Sequence, residues 1–433
     1  MASSYKIKMD IEKYRAIDNA SVCIDGITVV SGENGCGKST ISKTLYYIFK
    51  ISSSYNFLIG GNLRSELSSV LTLMNVIIRD MHSDFRVQRN QYLADLRKID
   101  IKLSEEEPSQ ETLDLLIIQL ERLKLMVKLS PFERKNMRML YMFEDILKDS
   151  DVYEKPIVDL FENIITKVKN TFGSAFKLIN SRNSFLLKNE LKNIFHTDIL
   201  PSRLDVLELD KTLFSLDSDR LSIPYSIQNT LYIDTPMMLG EYSETNPHWN
   251  ELNKIISSNA YKNTHQSITE IISNDILGGD VNYDDDLLST YKFSFKRNTD
   301  KRTFNLLDCA TGIKSFSILH LLLKLGVIND KTLLVFDEPE SNLHPQWIVE
   351  YARMIVLINK HIKAKIFIAS HNPDFISAIR YISEKEMILD NVNFYIAEKK
   401  ENLLYDYKCL GKDIEPIFKS FNIALDRIEQ YGI

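Results

Sequence analysis

A short apolar run, Ile27-Thr28-Val29-Val30, opens onto Gly32-Glu33-Asn34-Gly35-Cys36-Gly37-Lys38-Ser39, and helical periodicity follows from Ser39 to Phe49. A buried strand, a glycine-rich turn and a helix start in that order leave a chain little conformational choice. Glycines at 32, 35 and 37 permit positive φ, so successive backbone N–H groups can turn onto an anion at a helix N-terminus whose dipole also favours negative charge. The pattern predicts a phosphate-binding loop. Lys38 is placed to reach the β- and γ-phosphates of a nucleotide and Ser39 to offer its hydroxyl to Mg²⁺, while Asn34, Gly35, Gly37 and Thr40 complete the cradle. The competing reading, a plain glycine-rich turn, is disfavoured by the flanking strand and helix.

Length and composition set the frame around this loop. The chain has 433 residues, 44% hydrophobic and 26% charged, enough for two or three domains or for one nucleotide-binding fold with a large insertion. No run approaches the roughly 18 apolar residues of a membrane helix, and Met1 to Asp10 alternates polar and apolar without the apolar centre of a signal peptide. No membrane association is expected. The cysteines at 23, 36, 309 and 409 lack metal-ligand spacing, which suggests free thiols in a reducing cytoplasm. Cys36 sits inside the loop and invites a redox reading, but a small residue filling a loop position is the simpler one. The net charge of −6 gives no global footprint for nucleic acid.

The chain changes character twice. From about Asn62, Leu67, Val70, Leu71, Met74, Ile77, Ile78 and Met81 recur at helical spacing, as do Leu113, Leu116, Ile117, Leu120, Leu123 and Val127 beyond the polar break Ser104 to Pro108. These stripes predict a helical hairpin, and further helical pattern runs from Pro131 to Phe195. After Pro201 strand-like runs return at Asn229 to Asp234 and Tyr291 to Phe295. A helix is then expected over Lys314 to Leu325, a strand over Thr332 to Phe336, a helix over Pro345 to Leu357, a strand over Lys365 to Ala369, a helix over Pro373 to Ile382 and a strand over Val392 to Ile396. Such alternation builds a mostly parallel α/β sheet. Both ends of the chain therefore contribute to one nucleotide domain: residues 1–55 and 201–433 form the head, and 56–200 a helical insertion.

Two strand ends carry chemistry. Leu333-Leu334-Val335-Phe336 ends in Asp337-Glu338-Pro339, where Asp337 can hold a Mg²⁺ shell and Glu338 can orient or deprotonate a water. Ile366-Phe367-Ile368-Ala369 ends in Ser370-His371-Asn372-Pro373, one helix later, so His371 should face the same crevice. A structural turn and a helix cap are the plainer readings of the two segments.

Phosphate loop, strand-Asp-Glu-Pro-Glu and strand-Ser-His, in this order around a helical insertion, resemble the ABC-type ATPase heads of the SMC, RecF and OLD proteins. The resemblance covers residues 5–50 and about 225–400. It implies an α/β P-loop head that binds ATP and Mg²⁺, with Glu338 as catalytic glutamate, His371 as γ-phosphate switch and Ser341 to Pro345 as D-loop. Tyr14-Arg15 is similar to the aromatic-Arg pair that contacts nucleotide in SMC-like heads, which would make Arg15 a nucleotide-binding residue; otherwise it is a surface pair. Ala310-Thr311-Gly312-Ile313-Lys314-Ser315 stands where such heads carry the signature that completes a partner's site, so Thr311 and Gly312 would touch the ATP of a second head. Ala310 departs from the usual serine, and a capped core helix is the alternative. No glutamine loop is identifiable, although Gln228 precedes a suitable strand. The segment Ile233-Asp234-Thr235-Pro236 and the Thr-Gly-Ile-Lys signature look most like standalone ATPase subunits of bacterial anti-phage systems such as the Septu-type PtuA ATPases.

The expected protein is thus a cytoplasmic Mg²⁺-dependent ATPase that forms a homodimer or higher homo-oligomer through ATP-sandwiched heads. Since no nuclease-like acidic cluster or metal-binding His/Cys cluster stands out, a separate nuclease or toxin effector is the partner implied by the resemblance. The alternative is a repair-type head binding DNA directly through Lys296-Arg297, Lys301-Arg302 and Arg134-Lys135 with Arg138, although solvated charge is the commoner meaning of such runs. A transporter's nucleotide-binding subunit fits poorly with the large insertion.

Overall fold

A computed structural model describes residues 7–419, apart from 81–85, 130–136, 236, 259–264, 285–290 and 402, together with residue 430. The strands are β1 (Ile7–Tyr14), β2 (Ile17–Ile24), β3 (Ile27–Ser31), β4 (Arg203–Glu208), β5 (Lys211–Ser215), β6 (Asn229–Asp234), β7 (Gly279–Tyr283), β8 (Phe293–Arg297), β9 (Thr303–Asn305), β10 (Thr332–Asp337), β11 (Lys365–Ser370), β12 (Val392–Lys399) and β13 (Tyr405–Gly411). The helices are α1 (Lys38–Asp80), α2 (Arg86–Glu105), α3 (Gln110–Leu129), α4 (Met137–Leu147), α5 (Ile157–Ser181), α6 (Phe185–Phe195), α7 (Pro247–Ile256), α8 (Gln266–Ile271), α9 (Thr311–Lys324), α10 (Pro345–Ile362) and α11 (Pro373–Lys385). Met1–Ser53 and Ser184–Ile433 make one compact unit, and Ser54–Asn183 makes another.

In the first unit, one mixed sheet runs in the order β5-β4-β1-β2-β13-β12-β3-β11-β10-β6. From β12 through β3, β11 and β10 to β6 every pairing is parallel, whereas β5, β4, β1 and β2 pair antiparallel. The sequences explain the difference. β3, β10 and β11 are buried at every position and must be covered on both faces, as parallel strands joined by helices are. β4 alternates exposed and buried residues, which suits a wing with one wet face. Phe316, Tyr351, Ile355, Phe375 and Ile379 of α9, α10 and α11 pack with Leu334, Phe336, Ile366 and Ile368 in the main core. A smaller antiparallel sheet, β7-β8-β9, adds Val281, Phe293 and Phe295 to that core.

The helical unit is a stack of amphipathic helices with its own core. Tyr92, Leu96, Ile99 and Leu103 of α2 and Leu113, Leu116, Leu120 and Leu123 of α3 are buried, and the Tyr92 hydroxyl donates to Gln119 O at 3.1 Å. The hairpin turn is closed by Ser109, whose hydroxyl accepts from the Thr112 N–H at 3.2 Å. This differs from the expected hairpin: the arm that precedes the break is α2, whereas the stripe from Leu67 to Ile78 belongs to α1. The α2 stripe is thin within a very polar helix, which hid it from a periodicity reading. Met81 and Pro131, named in the expected helices, lie outside the described residues.

The boundary of this unit has local causes. At Ser54 the backbone leaves helical geometry (φ −104°, ψ 18°). At the exit, the Arg182 guanidinium lies 4.8 Å from the centre of the Tyr55 ring, and the Tyr55 hydroxyl donates to Asn183 O at 3.2 Å, so entry and exit of the unit are fastened together. Residues 184–200, expected within the insertion, belong to the sheet-bearing unit. Ser184 donates through its N–H to Asp219 O and through its hydroxyl to Ser218 O, and Phe195 of α6 packs edge-on against Tyr14.

Candidate functional site

The loop from Gly32 to Ser39 joins the C-terminal end of β3 to the start of α1, as its sequence predicts. Gly35 and Gly37 adopt φ of +82° and +102°, values that residues with a side chain rarely reach. The loop is supported from the preceding strand β2 and from two later ones, β12 and β13. A Cβ on Gly32 would meet Ala397 Cβ of β12 at 2.7 Å, and one on Gly37 would meet Ile17 of β2 at 2.8 Å. The Tyr407 hydroxyl of β13 donates to Cys36 O at 2.9 Å. Cys36 itself is fully buried, which favours the filler reading over a redox switch.

Lys38 is nearly buried and donates to Gly32 O at 2.8 Å and Glu33 O at 3.0 Å, so its ammonium lies across the loop it belongs to. Asn34 and Ser39 are exposed, whereas Thr40 is buried with its N–H on Gly37 O.

β10 brings Asp337 to the same end of the sheet. Its Oδ2 accepts from the Tyr232 hydroxyl at 2.7 Å and from Ser42 at 3.2 Å, and Ser39 lies beside it. Its Oδ1 is buried without a hydrogen-bond partner among the described residues. Burial holds this carboxyl above the ordinary aspartate range, while hydrogen bonds from Tyr232, Ser39 and Ser42 oppose the shift. A buried anionic oxygen without a donor, next to a loop hydroxyl, suits a hard divalent cation.

Glu338 takes the left-handed conformation (φ +51°), held by its N–H on Ala369 O at 2.8 Å and by Ser341 N–H on its own carbonyl at 3.1 Å. Such a backbone costs on the order of 1–3 kcal/mol unless its surroundings fix it, and it occurs mainly where a side chain must be aimed. The side chain meets His371: Nδ1 stands 3.0 Å from Glu338 Oε1, and both are partly exposed. Parallel strands β3, β11 and β10 thus gather Lys38, Ser39, Asp337, Glu338 and His371 at one end of the sheet.

The other expected positions differ in kind. Arg15 turns its guanidinium onto the Phe195 ring, 5.3 Å from the centroid, in the β1–β2 turn two residues before Ile17. Thr311 and Gly312 begin α9 rather than preceding it, and Ala310 at the cap supplies no side-chain hydrogen bond. The start of α9 thus lacks a side-chain cap, while the helix is buried from Ser315 to Leu323, as a core helix is. Gly312 has a packing reason of its own, since a Cβ there would lie 2.4 Å from the Trp347 ring. Gln228 stands at the N-terminal end of β6, opposite the site, with its N–H on Lys331 O. Arg297 and Arg302 both face Asp300, and the Arg297 guanidinium beside it draws that carboxyl down to about 2. Arg134 and Lys135, like Pro236, lie outside the described residues.

Four contributors escaped the sequence reading: Ser42, Tyr232, Tyr407 and Glu340. Ser42, one helical turn beyond Ser39, could have been found from its spacing. Tyr232 and Tyr407 sit on strands paired only in three dimensions, and Glu340, in the turn after β10, stood in the Asp-Glu-Pro-Glu run without a role of its own.

The loop, the acidic strand end and the His371 strand end fall within residues 6–376, which match the AAA ATPase domain family. This chain belongs to that family. The AAA ATPase domain match spans the helical unit as well and ends before β12 and β13. Among solved structures, the domain is similar to the SMC head domain from Thermotoga maritima (12% identity, TM-score 0.37, covering 93% of this chain and 98% of that one). It is also similar to the Smc head domain of Pyrococcus furiosus, with an extended coiled coil bound to the C-terminal domain of ScpA (12% identity, TM-score 0.35, covering 98% and 99%). No curated protein matches the sequence. No helix among the described residues is long and apolar enough to cross a membrane.

Proposed function

We propose that this AAA ATPase domain protein hydrolyses ATP at the site formed by Lys38, Ser39, Asp337, Glu338 and His371, and does so as a cytoplasmic homo-oligomer of facing heads. The observation that carries the reading is the contact between Glu338 and His371 beside the phosphate loop. Lys38 leaves the Gly32 and Glu33 carbonyls to meet the β- and γ-phosphates, while the N–H groups at the start of α1 hold the phosphate oxygens. Ser39 and Asp337 would hold Mg²⁺, which supplies charge neutralisation on the phosphates when bound. Glu338 receives a proton from the attacking water, and His371 orients Glu338 and donates toward the γ-phosphate. Arg15, stacked on Phe195, supplies a flat cationic surface for nucleotide.

Thr311 and Gly312, at an exposed and uncapped helix start, are the groups we assign to the ATP of a second head. Binding then favours the closed pair and hydrolysis releases it. For the output we infer a separate nuclease or toxin effector, in keeping with the resemblance to anti-phage ATPase subunits. Direct DNA binding is the second reading, and the pairing of Arg297 and Arg302 with Asp300 speaks against that patch as its basis.

The test is Glu338→Gln. It should keep ATP affinity within about twofold, lower turnover by roughly a hundredfold or more, and shift the protein to a multiple of its monomer mass when ATP is present. The ATP-locked variant should also retain its effector during purification from the native host. Turnover that survives the substitution would remove Glu338 from the mechanism.

A further inference from the structure

Glu340 is the most conspicuous group that the reaction does not use. It is only 3% exposed two residues beyond Glu338, and its Oε1 accepts from the Ser370 hydroxyl at 2.5 Å. The Ser370 oxygen in turn accepts from the Asn372 N–H at 3.1 Å. His371 lies between these two residues, so the turn that carries it is pinned on both sides by one side-chain oxygen. Besides the Glu338–His371 contact itself, two links tie the Glu338 segment to the His371 segment: the backbone bond from Glu338 N–H to Ala369 O and the side-chain bond from Ser370 to Glu340.

Among the described residues the second Glu340 oxygen has no hydrogen-bond partner, and neither does the hydroxyl of Tyr351, a fully buried residue of α10 within electrostatic reach of this carboxyl. A core with only packing to satisfy would place an apolar residue here, because a buried and half-satisfied carboxyl opposes folding.

We propose that Glu340 is a positioning residue for the Glu338–His371 pair, holding the His371 turn through Ser370 while Glu338 itself is held by the backbone. This rests on the proposed ATPase site. The groups that face Glu340 are Ser370 and His371 from the end of β11, Glu338 from its own segment and Tyr351 from α10. Burial moves its carboxyl up to about 7, with the Ser370 bond and His371 opposing and Glu338 reinforcing. The ionised form is the stronger acceptor for the Ser370 hydroxyl, so the hold tightens as pH rises through that value.

The test compares the wild type with Glu340→Gln, Ser370→Ala and Tyr351→Phe as full-length proteins. In the nucleotide-free state, the ring resonances of histidine-labelled His371 should move in Glu340→Gln and Ser370→Ala and stay in place in Tyr351→Phe. With ATP, wild-type turnover should rise between about pH 6 and about pH 8. Glu340→Gln should flatten that rise and lower turnover on the order of tenfold at an ATP KM within about twofold. Unchanged His371 resonances together with a wild-type pH profile in Glu340→Gln would overturn the proposal, as would the same changes in Tyr351→Phe, which would mark general core damage. Absence of wild-type turnover would fail the ATPase reading alone, since the resonances are read without nucleotide.

Discussion

At the scale of single residues, the site is built against the interests of the fold. Asp337 and Glu340 are both buried carboxyls whose protonated forms the folded state prefers. A raised folded value means that the stabilising contribution is complete below the unfolded value and is lost as pH rises through the folded one. For Glu340, the distance from 4.5 to about 7 corresponds to about 3 kcal/mol lost by neutral pH and above. Asp337→Asn removes the charge while keeping an oxygen for Tyr232 and Ser42. It should raise the melting temperature of the nucleotide-free protein at pH 8, where differential scanning calorimetry reads it, and abolish Mg²⁺-dependent turnover. The residue types at 337, 338 and 371 were legible from their place at the ends of apolar runs. Tyr232 and Glu340 were not, because an aromatic inside a strand and a glutamate after a proline read as packing and solvent until their neighbours are known.

At the scale of elements, α9 shows why a motif position has more than one cause. Gly312 was read as part of a signature for a second head, and the Trp347 ring 2.4 Å from where its Cβ would stand supplies a constraint inside one chain. Gly312→Ala should therefore cost about 1–3 kcal/mol by overpacking against α10, measured by urea unfolding, whether or not a second head exists. A partner to this test is Trp347→Leu, which should recover most of that stability in the double variant; oligomerisation lost despite such recovery would assign the glycine to the interface. Element positions were well marked where patterns were strong. The run from Asn229 to Asp234 is β6, and the helices expected from Pro345 and Pro373 begin there, since proline at the first turn fixes the start. The α2 stripe and the pairing of α2 with α3 were missed, because a polar helix with a thin apolar face gives little periodic signal.

At the scale of the molecule, the sheet-bearing unit depends on strands that carry no motif. The family match ends at residue 376, yet β12 lies between β3 and β13 in the middle of the sheet and supplies Ala397 beneath Gly32. A chain ending at Lys385 would keep every residue of the proposed reaction and lose the strand on one side of β3. It should show no cooperative thermal transition and no ATP binding, by calorimetry and by equilibrium dialysis. What the sequence determined alone was local: a strand, loop and helix for phosphate, two acidic or basic strand ends, an α/β alternation and a helical insertion, each written within a few adjacent residues as periodicity and turn chemistry. What only the tertiary structure decided was which of these meet. Glu338 faces His371, Tyr232 and Ser42 hold Asp337, Tyr407 and Ala397 support the loop, and Glu340 reaches Ser370. Those contacts join residues tens to hundreds of positions apart, through strand order and register that are set by the packing of the whole sheet rather than by any segment of it.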